Sequence, residues 1–299
     1  MMRFVDVKND VAFRKIFGNE NEPQVLITFL NAVLGFEDSE EIESLELKNP
    51  HQFPRIAGER ATIIDVLATD KRGRRFIIEM QVAEAAGFDK RVQYYVGREY
   101  SMQMRRGEGY KVLNPTIFIG ILSFSYFASP GYLSNHLILD EKTHEHCLRD
   151  MRFCFIELPK FKKQMNELAN EIDKWVYFIK NSKSLDVIPD STESGGLRAA
   201  YEQAEMFRWT EDEWRAYDDA AIREEDIRGV ESLALQRAEE RGLEQGREQG
   251  REQGLERGLE QGRDAGIREV ARRLRARGIS VAEVAEMTGL GAAEVAELE

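Results

Sequence analysis

The chain has 299 residues, of which 42% are hydrophobic and 32% charged, which is typical of a globular protein with a strongly charged surface. Its net charge of −12 argues against a generally basic nucleic-acid-binding surface, although most of the negative charge lies after residue 160. The sequence has no long apolar run, no secretory signal and only two cysteines, Cys147 and Cys154. It therefore predicts a reduced, cytoplasmic protein with no membrane partner.

The predicted elements of the first 160 residues alternate between helices and strands. Capping residues, proline near a helix start and apolar residues at helical spacing predict helices over residues 9–17, 23–34 and 88–105. Short runs of β-branched and large apolar residues predict strands over residues 42–47, 61–69, 75–82, 116–124 and 152–158. The turn composition of residues 70–73 joins two of these strands into a β-hairpin with apolar arms, as in buried central strands. This order predicts an α/β fold in which helices flank a mixed sheet.

After residue 160, every predicted element is helical. An amphipathic helix over residues 161–180 precedes a loop at 187–196, and a capping-box pattern from Thr210 to Glu213 begins another helix. We therefore expect an extended helical C-terminal region. The predicted domains are 1–160, a helical extension over 161–240, a repeat helix over 241–266 and a small helix-turn-helix-like tail over 267–299.

Two acidic residues lie in the apolar arms of the predicted hairpin. Asp65 lies in the first arm and Glu79 in the second, and Gln81 shares a strand face with Glu79 because it follows two residues later. Asp65 should lie opposite residue 78 or 79, so the two carboxylates can approach each other. A buried carboxylate is costly unless it is paired or binds a cation, and such oxygens suit Mg²⁺. The alternative is that both are ordinary strand residues with local hydrogen bonds.

Four segments carry a family resemblance that covers the first 125 residues. They are DVKNDVAFRKIFG, the aspartate of TIIDVLATD, FIIEMQ and the helical RVQYYVGREYSMQM, in this order. With them, the chain resembles the Rpn family of recombination-promoting nucleases, also described as transposases, in the PD-(D/E)XK nuclease superfamily. The resemblance implies a restriction-endonuclease-like fold and DNA cleavage that depends on Mg²⁺ or another divalent cation such as Mn²⁺. It also implies that Asp65 and Glu79 are the metal ligands.

Two further positions match the family pattern in different ways. Gln81 stands where the superfamily usually has lysine, a departure that is usual in this family. A glutamine cannot act as a charged proton acceptor, but it can position water or bind phosphate, so the identity of the general base stays open. Asp10 matches an acidic residue that the superfamily often places on its first helix, and the alternative is that Asp10 or Asn9 caps that helix.

Basic and amide side chains near the predicted site are candidates for DNA contact. Tyr95, on the helix after the hairpin, is better explained as a core residue. The basic cluster at the hairpin turn consists of Lys71, Arg72, Arg74 and Arg75. For this cluster, phosphate contact and a solvated turn are the two alternatives. The predicted DNA-binding residues are Lys71, Arg72, Arg74, Arg91 and Gln93.

Seven glycines recur at every fourth position from Gly242 to Gly266. Glycine costs about 1 kcal/mol relative to alanine in a helix interior. A stripe of glycines would let a second helix approach closely, so the repeat predicts a homo-oligomer, with a flexible spacer as the alternative. The tail is similar to a helix-turn-helix, but its last helix has no Lys or Arg, so an oligomerisation or regulatory role is at least as well supported as DNA reading.

Three hypotheses about function therefore stand beside one another. The first is a metal-dependent DNA endonuclease that promotes recombination. The second is a catalytically degenerate nuclease fold that binds DNA or a protein. The third is an oligomeric helical scaffold in which the C-terminal repeat dominates.

Overall fold

A computed structural model describes residues 3–48, 51–52, 62–190, 192 and 194–298. Residue 61, the first of the predicted hairpin arm, lies outside the described residues. The helices are α1 (Asp10–Phe17), α2 (Gln24–Leu34), α3 (Phe88–Met102), α4 (Glu171–Asn181), α5 (Gly195–Ala204), α6 (Glu211–Ala276), α7 (Val281–Thr288) and α8 (Ala292–Ala296). The strands are β1 (Leu45–Lys48), β2 (His51–Gln52), β3 (Thr62–Ile63), β4 (Val66–Asp70), β5 (Arg75–Gln81), β6 (Thr116–Leu122), β7 (Leu133–Ile138) and β8 (Leu148–Glu157).

Six of these strands form a mixed sheet in the order β1-β4-β5-β6-β8-β7. The strands β5, β6 and β8 run parallel, while β1, β4 and β7 pair antiparallel with their neighbours. The predicted hairpin is β4 and β5, with Val66 opposite Ile78, and α3 is the crossover from β5 to its parallel neighbour β6. The predicted architecture, a mixed sheet flanked by helices and followed by an extended helical region, is confirmed.

The two faces of the sheet pack against different helices. Along β5, Phe76 and Ile78 belong to the larger core, which also contains residues of α1, α2, α4 and α5. Ile77 points to the opposite face and belongs to a smaller core with Phe88 and Val92 of α3. Because side chains alternate along a strand, Glu79 and Gln81 lie on the same face as Ile77. The helix α3 therefore covers the strand face that carries both predicted site residues.

The first compact unit extends past the predicted domain boundary at residue 160. Residues Met1–Arg223 form this unit, and Glu224–Glu299 form a second one. Trp175 of α4 is fully buried, with its ring centroid 5.8 Å from that of Phe17 and 5.4 Å from that of Phe29. The helices α4 and α5 thus share a core with the sheet.

One predicted helix begins later than expected. The prediction of a continuous helix over 161–180 is wrong at its start, because the structure has only a single 3₁₀ turn at Met165–Glu167 before α4. Asn170 caps α4: its side chain accepts a hydrogen bond from the backbone amide of Asp173 at 2.9 Å. This cap stops the α-helix from extending towards residue 161.

Two elements have too weak a sequence signal to be predicted. The edge strand β7 has the mixed sequence LSNHLI and is recognisable only through its pairing with β8. The helix α5 begins with two glycines, which favour a loop, and Ser194 caps it by accepting a hydrogen bond from the amide of Leu197 at 3.4 Å. In both cases tertiary contacts determine the structure.

The second unit consists of helices. The helix α6 includes the whole glycine repeat. A capping box begins α7, in which Ser280 Oγ accepts a hydrogen bond from the amide of Glu283 at 3.4 Å. A small core of Ala271, Val284 and Val295 joins α7 and α8 to the end of α6. Within the part of the chain that the structure describes, no helix is long and apolar enough to cross a membrane.

Candidate active site

Asp65 lies in a bend just before β4, and its side chain reaches across to β5. Its Oδ2 atom accepts a hydrogen bond from the backbone amide of Met80 at 2.9 Å. The pairing of Val66 with Ile78 brings Asp65 beside Glu79 at the same end of the hairpin. The Asp65 side chain is 11% exposed and Glu79 is 5% exposed, so two nearly buried acidic residues are neighbours.

Glu79 has a buried oxygen without a hydrogen-bond partner. Its Oε2 accepts a hydrogen bond from Gln81 Nε2 at 2.9 Å, whereas its Oε1 has no partner among the described residues. Burial and the charge of Asp65 raise the pKa of Glu79 to about 8, although Arg91 and Arg14 oppose the increase. A buried, unpaired carboxylate oxygen is costly. A cation at Oε1 would remove this cost and favour the ionised form.

Gln81 connects Glu79 to α3. Its Oε1 accepts a hydrogen bond from Arg91 Nη2 at 2.5 Å, while its Nε2 donates to Glu79. The guanidinium carbon of Arg91 also lies 5.8 Å from the ring centroid of Phe88. These contacts fix the direction of the Gln81 amide and leave its second N–H available for water or phosphate.

The helix α1 brings Asp10 and Arg14 to the same site. The capping alternative for Asp10 is wrong, because Asn9 caps α1 by accepting hydrogen bonds from two amides of the first turn. Arg14 Nη2 lies 2.9 Å from Asp10 Oδ1 and 2.8 Å from Asp65 Oδ1. Burial raises the pKa of Asp10, and the nearby charge of Asp65 adds to the increase while Arg14 opposes it.

The donor set fits a divalent cation that completes its shell with water and substrate. Asp65 and Glu79 offer carboxylates, and among the described residues one oxygen of Glu79 has no hydrogen-bond partner. Among the residues that the structure describes, no group of three or more His, Cys, Asp or Glu could hold a metal ion by itself. Mg²⁺ is usually bound through one or two carboxylates together with waters and substrate phosphates. Two carboxylates are therefore sufficient for this kind of site.

The basic cluster at the hairpin turn contacts carboxylates of the protein. Arg74 is buried, with Nε 2.6 Å from Asp70 Oδ2 and Nη1 3.1 Å from Glu40 Oε2. Lys71 and Arg72 are more exposed and form ion pairs with surface glutamates. Exposed pairs of this kind contribute little energy and exchange readily. DNA contact by Lys71, Arg72 and Arg74 stays a prediction, and Arg74 also stabilises the turn.

The predicted residues on α3 have different surroundings. Arg91 donates a hydrogen bond to Gln81, which in turn donates one to Glu79. Gln93 is exposed, and its Nε2 donates to the carbonyl oxygen of Asp89 at 3.2 Å. Tyr95 is partly buried against the smaller core, as predicted. DNA contact by Arg91 and Gln93 stays a prediction.

Arg14 also belongs to this candidate site, although no motif in the sequence points to it. Its signal is the spacing of four residues from Asp10 in a predicted helix, which puts both side chains on one face. The contact with Asp65 joins residues 51 positions apart and depends on how α1 packs beside the sheet.

Comparison with protein-family models gives a match over residues 7–230 to the family described as PD-(D/E)XK nuclease family transposase. The matched range includes all the predicted site residues and ends inside α6. No curated protein and no solved structure gives a significant match.

Proposed function

Because the chain belongs to the PD-(D/E)XK nuclease family of transposases and has its restriction-endonuclease-like fold, we propose that it is a metal-dependent DNA endonuclease that promotes recombination. The observation that carries this proposal is the Oε1 atom of Glu79 beside Asp65, which has no hydrogen-bond partner within the described part of the chain. An arrangement with a stabilising role alone would be expected to satisfy both oxygens of so buried a carboxylate. We also keep the predicted cytoplasmic location as part of the proposal.

In the proposed reaction, Asp65 and Glu79 hold a divalent cation, Mg²⁺ or Mn²⁺. When bound, the cation neutralises charge on the phosphate and makes water a stronger nucleophile. Gln81 orients the attacking water or a phosphate oxygen through its second amide N–H, and its contacts with Glu79 and Arg91 hold it in that orientation. Asp10 has the most exposed side chain of the three carboxylates, at 51%, and is our candidate for the proton acceptor.

The proposed substrate contacts lie on two elements, α3 beside the site and the hairpin turn at the opposite end of β4 and β5. Arg91 and Gln93 lie on α3, and the exposed Lys71 and Arg72 lie at the hairpin turn with Arg74 beneath them. Contacts of this type bind phosphates and position DNA without reading its sequence. We therefore expect these residues to determine affinity and its salt dependence more than sequence preference.

A plasmid-nicking assay with Mg²⁺ or Mn²⁺ tests the proposed function. The parent protein should nick supercoiled DNA, and EDTA should abolish the activity. Asp65→Ala and Glu79→Ala should each lower the rate by at least about 100-fold, the scale seen when one charge-stabilising group is removed. Glu84→Ala is the matched control, because Glu84 follows the same strand and is exposed. Equal nicking by Asp65→Ala and the parent would exclude this site.

The second candidate is a degenerate nuclease fold that binds DNA or a protein. It is favoured by one observation: both carboxylate oxygens of Asp65 already have protein partners. Gel-shift measurements on the same proteins distinguish the two candidates. DNA binding without cleavage at any Mg²⁺ or Mn²⁺ concentration would support the degenerate fold.

We also propose self-association through the glycine repeat of residues 242–266. A Cβ atom added at any of the seven glycines would meet no described atom within 4 Å beyond the neighbouring backbone of its own helix, which leaves room for a second helix. Sedimentation of the full chain and of a chain without residues 240–299 tests the proposal. An equal number of subunits in both would contradict self-association through this segment and would also remove the helical-scaffold hypothesis.

A further inference from the structure

Arg14 contacts the Asp65 oxygen that a shared cation would need. Its Nε and Nη2 atoms both donate to Asp65 Oδ1, at 3.2 Å and 2.8 Å. The other oxygen, Oδ2, is held by the backbone amide of Met80. Of these two partners, the amide belongs to β5 and is fixed, whereas the guanidinium is at the end of a long side chain. Only the contact with Arg14 can be given up without moving the sheet.

The neighbouring Glu79 differs from Asp65, because its Oε1 has no hydrogen-bond partner among the residues that the structure describes. A cation held between the two carboxylates would satisfy this oxygen, but it would have to compete with Arg14 for Asp65. The Arg14 side chain is 42% exposed, whereas that of Asp65 is only 11% exposed. Arg14 can therefore turn outward while Asp65 stays in place.

A guanidinium binds phosphate as well as carboxylate, because its N–H groups match two oxygens of either group. A phosphate at the open side of the site offers Arg14 a replacement for Asp65 Oδ1. Asp10 Oδ1 lies 2.9 Å from Arg14 Nη2, and its side chain, 51% exposed, is on the more exposed side of the Arg14 guanidinium.

We propose that Arg14 is a positioning residue that couples cation binding to DNA binding. Without DNA, its guanidinium neutralises Asp65 and keeps the affinity for a divalent cation low. A DNA phosphate takes the guanidinium, and Asp65 Oδ1 becomes available to the cation beside Glu79. The proposal rests on the proposed function for the identity of the phosphate. By thermodynamic linkage, the cation must raise DNA affinity by the same factor as DNA raises cation affinity.

The test measures Mn²⁺ affinity by electron paramagnetic resonance on the full chain, with and without a short duplex made resistant to cleavage by phosphorothioate linkages. In the parent, the duplex should raise Mn²⁺ affinity by roughly tenfold, within the usual range of coupling between two sites. Arg14→Gln should bind Mn²⁺ roughly tenfold more tightly than the parent without DNA, and the duplex should add no further gain. Arg14→Lys should keep part of the coupling, because it keeps the charge but loses the paired N–H groups.

Lys15→Gln is the matched control, since it removes one positive charge from the neighbouring position of α1, where Lys15 pairs with Glu213 and not with Asp65. It should behave as the parent does. Weaker Mn²⁺ binding by Arg14→Gln, or an unchanged gain from the duplex, would overturn the proposal and leave Arg14 as a fixed support for Asp65. If the parent does not cleave plasmid DNA but its Mn²⁺ affinity responds as expected, the proposed coupling is supported and the proposed nuclease activity is contradicted. If neither the parent nor Arg14→Gln binds Mn²⁺, the proposed coupling and the proposed nuclease activity are both contradicted.

Discussion

The backbone amide of Met80 donates a hydrogen bond to Asp65 Oδ2 at 2.9 Å, so an acidic side chain from outside β4 is fixed beside Glu79 on β5. This contact makes the site dependent on the register of the β4–β5 hairpin. A slip of one residue would move Glu79 to the other face of the sheet, because side chains alternate along a strand. The buried ion pair of Asp70 and Arg74 at the turn favours the observed register.

We expect the stability of the metal-free protein to fall with rising pH because of Glu79. Its pKa is raised from 4.5 to about 8, so between these values the folded protein holds a proton that the unfolded chain releases. The free energy of unfolding should then decrease by up to about 1.4 kcal/mol per pH unit from this group.

Glu79→Gln removes this contribution, so its stability relative to the parent should increase from about pH 5 to pH 7.5. Urea unfolding in EDTA at both pH values measures the difference. Saturating Mg²⁺ should reduce the slope of the parent, since the cation favours the ionised form. A parallel pH dependence of Glu79→Gln and the parent would argue against a raised pKa.

The contact between Gln81 and Arg91 predicts that their effects on cleavage are not additive. Each of Gln81→Ala and Arg91→Ala should lower the nicking rate, because Arg91 holds the Gln81 amide at 2.5 Å. The double variant should lose less than the product of the two single losses, with a coupling energy of about 0.5–3 kcal/mol. The initial nicking rates of the parent, the two single variants and the double variant give this coupling energy. Strict additivity would mean that Arg91 acts on the substrate independently of Gln81.

The close packing of α5 against α2 predicts opposite outcomes at two adjacent glycines. A Cβ atom at Gly196 would lie 2.4 Å from the carbonyl oxygen of Gln24 and 2.0 Å from Thr28 Oγ1, whereas one at Gly195 would meet nothing within 4 Å. Gly196→Ala should therefore destabilise the protein by about 1–3 kcal/mol. Gly195→Ala, the matched control, should be neutral or slightly stabilising. Urea unfolding of both variants compares them, and equal stabilities would contradict this packing.

Alanine substitutions in the glycine repeat should change the helix stability of α6 and its self-association in opposite directions. Replacing Gly246, Gly250 and Gly254 by alanine should add about 1 kcal/mol of helix stability at each position. It should also weaken self-association, because the added methyl groups keep a second helix further away. Circular dichroism and sedimentation measure the two effects. The control replaces Gln245, Gln249 and Gln253 by alanine, and stronger association of the glycine variant would contradict close approach along the stripe.

The acidic pair could be predicted from the sequence because local rules determine it. The turn after Asp70 sets the hairpin register, and alternation along β5 puts Glu79 and Gln81 on one face. The contact of Arg14 with Asp65 follows no local rule, since it depends on where α1 packs. The start of α4 was misplaced for a related reason: Asp173 accepts hydrogen bonds from Tyr132 and Lys163, and these distant contacts stabilise the capped end.

The contacts that hold α1 limit how short a fragment with the proposed active site can be. Asn9, at its start, donates a hydrogen bond to the carbonyl oxygen of Tyr217, 208 positions later, and the backbone amide of Asp6 donates to the hydroxyl oxygen of the same tyrosine at 3.0 Å. A fragment ending near residue 160 would lose these partners together with Trp175. The helix that carries Asp10 and Arg14 would then lose the contacts that hold it, so a fragment meant to keep the proposed site should include the entire unit through residue 223.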